Sequence, residues 1–167
     1  MEINLREWKR EDVETLARLA NNKNIAANLR DRFPHPYTLK DAEEWLAMNE
    51  RKNPATNFAI EADAKLTGGC GLMLKEDVYR YSAEVGYWIA EEYWGKGIAT
   101  KAIQLLLDKT LPLFPEIVRV YAEVFEYNKA SMRALEKNGF HLEGIRKKAV
   151  IKNNVIMDDY VWVKILR

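Results

Sequence analysis

Cysteine is all but missing from this chain. Cys70 stands alone, so no internal disulfide can form, and the expected home is a reducing compartment, the cytoplasm. Set among Gly68, Gly69 and Gly71, that cysteine reads as a small core side chain. Long apolar runs are missing too, and none approaches the ~20 residues of a membrane helix. The opening Met1-Glu2-Ile3-Asn4-Leu5-Arg6 lacks the charged-then-apolar plan of a secretory signal. Glycine and proline are sparse, at eight and five in 167 residues, which leaves little room for linkers. Charge of one sign is missing as well: 26 Lys and Arg against 25 Asp and Glu leave a formal net charge of +1. Neither nucleic acid nor a membrane is therefore expected as a partner. The only histidines, His35 and His141, have no ligand spacing with Cys70 or with each other, so no metal is expected. Residues 1–167 read as a single domain able to bury a sizeable core.

The pattern of what is present alternates strands and helices. Ile3 and Leu5 alternate with polar neighbours as a strand would, and Val13, Leu16, Ala17 and Ala20 mark an amphipathic helix. Thr38 with Asp41 three residues on predicts a capped helix with Ala42, Trp45 and Leu46 inside. Residues 57–61 and 66–74 predict a hairpin turning at Asp63-Ala64, and 83–89 a further strand. A helix then runs through Ile98, Ala102, Leu105 and Leu106 to end before Pro112. Residues 118–124 alternate as a strand leading into a helix capped by Asn128 and stopped at Asn138-Gly139. Two last strands, 145–151 and 156–165, are joined by Asn153-Asn154. Hairpins followed by helix-separated strands give an α/β fold, a mixed sheet with helices on its faces. The run Tyr160-Val161-Trp162-Val163 suits either an edge or the core.

The most informative stretch is Tyr93-Trp94-Gly95-Lys96-Gly97-Ile98-Ala99-Thr100, two glycines joining a strand to a helix. Bare N–H groups and the positive helix end suit an anion such as pyrophosphate. A Walker loop needs glycine at the place of Ala90 and Ser or Thr at the place of Gly97. The dinucleotide fingerprint needs a third small residue where Thr100 stands. Both readings fail.

With the second segment, Asn128-Lys129-Ala130-Ser131-Met132-Arg133-Ala134-Leu135-Glu136-Lys137-Asn138-Gly139-Phe140, the turn resembles the acyl-CoA-binding motifs of the GCN5-related N-acetyltransferases (GNAT). The branch it resembles most contains the ribosomal-protein N-terminal acetyltransferases, and Pro36-Tyr37-Thr38-Leu39 and Glu143-Gly144 extend the likeness along nearly the whole chain. The resemblance implies a mostly antiparallel central sheet, splayed at the middle to admit the pantetheine arm. It implies acetyl-CoA as acetyl donor, held by Gly95, Lys96, Gly97, Ile98, Ala99 and Thr100, by the strand residues Tyr87, Trp88 and Ile89, and by Asn128. Two departures stand out: Glu92 where many members carry Gln or Arg, and Leu135 where many carry a tyrosine that serves the leaving thiolate. Glu92 is expected to face solvent.

Acetyl transfer to an amine needs the donor held, the amine deprotonated, the oxyanion stabilised and the thiolate accommodated. The amide of Trp88 is the expected donor to the acetyl oxygen. Glu84 shares its strand face with Trp88; burial near apolar rings would raise its pKa from about 4.3 and make it a base, or it orients the cationic amine. Ser131 is the remaining hydroxyl for the thiolate. His35, between two prolines, and Tyr37 lie in the loop expected to face the acceptor. The expected function is direct transfer to a primary amine, a protein N-terminal α-amine or else a polyamine, amino acid or aminoglycoside. A non-catalytic acyl-CoA-binding module is the alternative. Homodimers are common among similar proteins, so a homodimer is expected.

Overall fold

Local signals set most element boundaries in the computed structural model, which describes residues 1–167. The helix α3 (Leu39–Glu50) starts at a complete capping box. Thr38 Oγ1 accepts from the Asp41 N–H at 3.2 Å, and the Asp41 carboxylate accepts from the Thr38 N–H at 2.7 Å. The hairpin strands β2 (Asn57–Ala62) and β3 (Lys65–Leu74) turn at Asp63 and Ala64, both left-handed at φ 49° and 62°. The last hairpin, β6 (His141–Lys152) and β7 (Val155–Ile165), turns the same way at Asn153 and Asn154. Paired left-handed residues match the twist of the strands they join.

The remaining elements are β1 (Ile3–Arg6), α1 (Val13–Ala20), α2 (Lys23–Ala26), β4 (Ser82–Ile89), α4 (Ile98–Thr110), β5 (Arg119–Phe125) and α5 (Lys129–Lys137). The seven strands form one sheet in the order β1-β2-β3-β4-β5-β7-β6. Only the β4–β5 pair is parallel. The α4 and α5 side buries Ile98, Ile103, Leu106 and Leu135 against Phe58, Leu72, Val85 and Val120. On the opposite side Leu16, Ala20, Ala42 and Leu46 pack around Tyr37. Each fully buried Leu or Ile contributes roughly 1.5–3 kcal/mol relative to exposure.

Two features depart from the sequence reading, and a third resolves an alternative it left open. The short α2 was not anticipated; its cap is Asn22, whose side chain accepts from the N–H groups of Asn24 and Ile25. The strand β6 begins at His141 rather than 145, because register shifts at Leu142/Gly144 and Arg146/Val150 break the alternation that marks a strand. The Tyr160–Val163 run is interior, since β7 lies between β5 and β6, and β6 is the edge.

The sheet opens at its centre. β4 and β5 pair at Ser82↔Arg119, Ala83↔Val120 and Glu84↔Tyr121 and then part. A cleft of about 1870 Å³ occupies the gap and passes from one side of the sheet to the other.

Candidate active site

The splay leaves one edge of β4 without a strand partner, and the ladder fixes which peptide groups line it. Ser82 O accepts from Lys75 N–H, and Ala90 N–H donates to Thr67 O, so the even-numbered peptide groups of β4 turn toward β3. Tyr81 O accepts from Val118 N–H, so the odd-numbered ones turn toward β5. Past Glu84 the groups facing the gap therefore belong to Val85, Tyr87 and Ile89. This corrects the expectation for Trp88, whose amide is turned to β3; Trp88 lines the cleft with its indole, 5.8 Å from the Phe33 ring. The Ile89 carbonyl is already engaged by Trp94 Nε1 at 2.7 Å.

The glycine turn sits at the cleft end that faces α4. Gly95 and Gly97 are left-handed at φ 74° and 76°, and a methyl group at either would meet no protein atom within 4 Å. Both glycines are thus required by backbone conformation, and the space beside them is open to a ligand. The N–H groups of Ile98, Ala99 and Thr100 open α4 with no partner inside the helix. Lys96 is exposed, lies over the Tyr93 ring at 5.2 Å and bonds Glu92 O at 3.3 Å. Glu92 faces solvent, 3.6 Å from Arg18. A helix N-terminus, two open glycines and a lysine fit the pyrophosphate of acetyl-CoA.

Two hydroxyls meet deeper in the cleft. Ser131, on the first turn of α5, lies 2.5 Å from the Tyr87 phenol oxygen, which β4 supplies from the facing wall. Burial pushes the Tyr87 phenol up to about 12, against the opposing hydrogen bond with Ser131. Asn128, a residue of the cleft wall, accepts the Ser131 N–H at 3.3 Å as the helix cap. Leu135 points into the core and is fully buried.

The opposite face of the sheet carries a chain of charges across the splay. Lys75 donates to Glu84 at 2.9 Å, and Arg30 bonds Glu84 and also Glu123 at 2.9 Å. Arg146 reaches Glu123 at 2.7 Å and bonds Asp159, whose Oδ1 is buried without any partner. Burial acts to raise the Glu84 carboxyl, but the hydrogen bond from Lys75 and the charge of Arg30 outweigh it, and the net shift is downward. The expected upward shift of Glu84 is therefore overturned by two cations that lie far from it in sequence. Asp159 moves the other way: burial, with Glu123 beside it, pushes its carboxyl up against the pull of Arg146 and Arg30.

Tyr37 lines this side of the cleft with its ring 5.1 Å from Phe33, its phenol pushed up to about 12 by burial. His35 is exposed and lies outside the cleft wall, beside Pro34, which lines it. The other expected residues, Glu84, Tyr87, Trp88, Ile89, Gly95 to Thr100, Asn128 and Ser131, all line one cleft. Glu123 and Asp159 line it too and were missed. Asp159 had a signal: an acidic residue inside an apolar strand, where Asp is depleted.

A splayed sheet with an anion-binding turn on one side of the gap and charged groups on the other defines an acyl-CoA-dependent acyltransferase. The model of the acetyltransferase (GNAT) domain matches residues 2–141, and the chain belongs to that family. It is an N-acetyltransferase with acetyl-CoA as its acetyl donor. A probable N-acetyltransferase of Bacillus subtilis, YjcK, is 40% identical over 51% of the chain, a stretch that spans 46% of that relative. The spermidine N(1)-acetyltransferase of Escherichia coli is 28% identical over 85% of the chain and 74% of its own length. The solved structure of RimL, a ribosomal L7/L12 α-N-protein acetyltransferase in complex with coenzyme A, superposes with a TM-score of 0.85. That match covers 98% of this chain and 94% of RimL at 22% identity, a likeness of fold.

Proposed function

We propose that the chain transfers acetyl directly to a single, isolated primary amine, the α-amine of a peptide or protein N-terminus. The observation that carries this reading is the charge balance of the acceptor face. Glu84, Glu123 and Asp159 are matched by Lys75, Arg30 and Arg146. Such a face has no excess of negative charge to concentrate a polycation, while its arginines can hold peptide carbonyl groups.

The chain's own groups then divide the work. Gly95 to Thr100 bind the pyrophosphate, and acetyl-CoA supplies the activated acetyl group. The Tyr87 amide, free at the gap, donates to the acetyl oxygen as charge grows there. The Ser131 hydroxyl donates to the leaving sulfur and is held in place by the Tyr87 phenol. Glu84, fixed as a carboxylate by Lys75 and Arg30, orients the acceptor; a group held below the ordinary carboxylate range is a weak proton acceptor.

Likeness to the spermidine acetyltransferase favours a second reading, a polyamine acceptor. Competition decides between them. With an N-terminal peptide and spermidine at equal concentration, the account expects the acetylated peptide to dominate the product mass spectrum. Dominant acetylspermidine would overturn the choice of acceptor, and no transfer to any amine would overturn the function.

A further inference from the structure

The charge chain contains one atom that nothing in the protein satisfies. Asp159 is 2% exposed, yet its Oδ1 has no hydrogen-bond partner. Its other oxygen is bonded to Arg146. A buried carboxylate oxygen left unpaired is destabilising, and an incoming donor offsets that cost. The residue sits in register with Phe125 on β5, past the point where β4 and β5 part, and forms part of the cleft wall.

We propose that Asp159 Oδ1 binds the acceptor's ammonium group and takes its proton, so that Asp159, not Glu84, is the general base. This rests on the N-acetyltransferase reading above. The two carboxylates differ by environment. Glu84 receives Lys75 and Arg30 together, whereas Asp159 receives Arg146 alone and also faces Glu123 on β5. Arg30, reaching over from the loop after α2, also acts on Asp159, at longer range. Opposite shifts in paired carboxylates are the mark of divided acid–base roles.

The step balances as follows. The ammonium gives one proton to Asp159 Oδ1. The freed nitrogen lone pair forms the bond to the acetyl carbon, and the carbon–sulfur bond breaks with its electron pair on sulfur. The nitrogen sheds a second proton as the amide forms, and that proton ends on sulfur by way of the Ser131 hydroxyl. Asp159 returns its own proton to water.

The test is the pH profile of kcat/KM for Asp159→Asn with two amines of different pKa. For the wild type, the acidic limb belongs to the enzyme and stays at one pH for both amines. For the variant, kcat/KM at neutral pH falls about 100-fold or more. Its acidic limb then follows the pKa of each amine, and activity recovers at high pH, where the amine is already neutral. Unchanged acetyl-CoA affinity and thermal midpoint separate this from a structural defect, and Asp159→Glu restores the enzyme's own limb. A variant with the wild-type profile and rate overturns the assignment while leaving the acetyltransferase reading intact. If the variant fails to fold, a wild-type acidic limb that moves with the amine's pKa overturns it instead. Absence of turnover by wild type on every amine would count against the underlying function.

Discussion

The hydroxyls of Tyr87 and Ser131 lie 2.5 Å apart, one carried by a strand and the other by the first turn of a helix. A common tyrosine of related enzymes has no counterpart on the helix, where Leu135 stands fully buried. A phenol does reach Ser131, from β4, and under the proposed function it acts through the serine. Ser131→Ala should lower kcat by roughly 10- to 100-fold, the worth of a hydrogen bond to a charged group, with little change in acetyl-CoA affinity. Tyr87→Phe should give part of that loss, and the double variant should be no worse than Ser131→Ala alone. Additive losses in steady-state kinetics would show that the two hydroxyls work separately.

Restoring the tyrosine on the helix should not restore the function. Leu135 packs among Ile98, Ile103 and Leu106 in the core, so Leu135→Tyr overpacks it and costs about 1–3 kcal/mol. Thermal unfolding should detect the loss, and Ser131→Ala/Leu135→Tyr should remain as slow as Ser131→Ala. Recovery of kcat in the double variant would mean that this position does reach the cleft.

Gly97 takes a left-handed conformation at φ 76° with open space where a methyl group would be. Gly97→Ala should cost about 1–2 kcal/mol in backbone strain. It should also raise KM for acetyl-CoA several-fold with kcat nearly kept, because the methyl group intrudes only on the bound pyrophosphate. An unchanged KM would remove the turn from cofactor binding.

Glu84 should matter more for stability than for proton transfer. Its carboxyl is held below the ordinary 4.5, so its stabilising effect is present above that pH and is lost as pH falls through the lower folded-state value. Glu84→Gln should destabilise by about 1–3 kcal/mol at neutral pH, since Arg30 is partly exposed and Lys75 loses its partner. The gap between variant and wild type should narrow as pH falls below 4.5 and close once the pH lies below the lowered folded-state value. Thermal midpoints measured against pH check this, and a constant gap across the range would contradict it.

Much of the fold was legible because its signals are local. Thr38 and Asp41 stand three residues apart, Asn153-Asn154 is its own turn, and Gly95 and Gly97 declare a backbone that only glycine adopts freely. The turn that opens α4 on the cleft followed from the same stretch. The acceptor side was not legible, because its chemistry is assembled from distant residues. Arg30 reaches Glu84 across 54 positions and Glu123 across 93, and Tyr87 reaches Ser131 across 44. Sequence gave Glu84 a buried face but not the two cations on it, so burial alone predicted the wrong direction of its pKa. The loop that carries His35 lines the cleft through Phe33, Pro34 and Tyr37, which the sequence could not distinguish from a lining by His35 itself.

Direct transfer across the splayed sheet requires donor and acceptor to occupy the cleft together, one from each side. Initial rates of thiol release, measured while acetyl-CoA and an N-terminal peptide are both varied, test this most directly. The account predicts double-reciprocal lines that intersect, the signature of a ternary complex. Parallel lines, together with an acetylated enzyme trapped in the absence of amine, would contradict it.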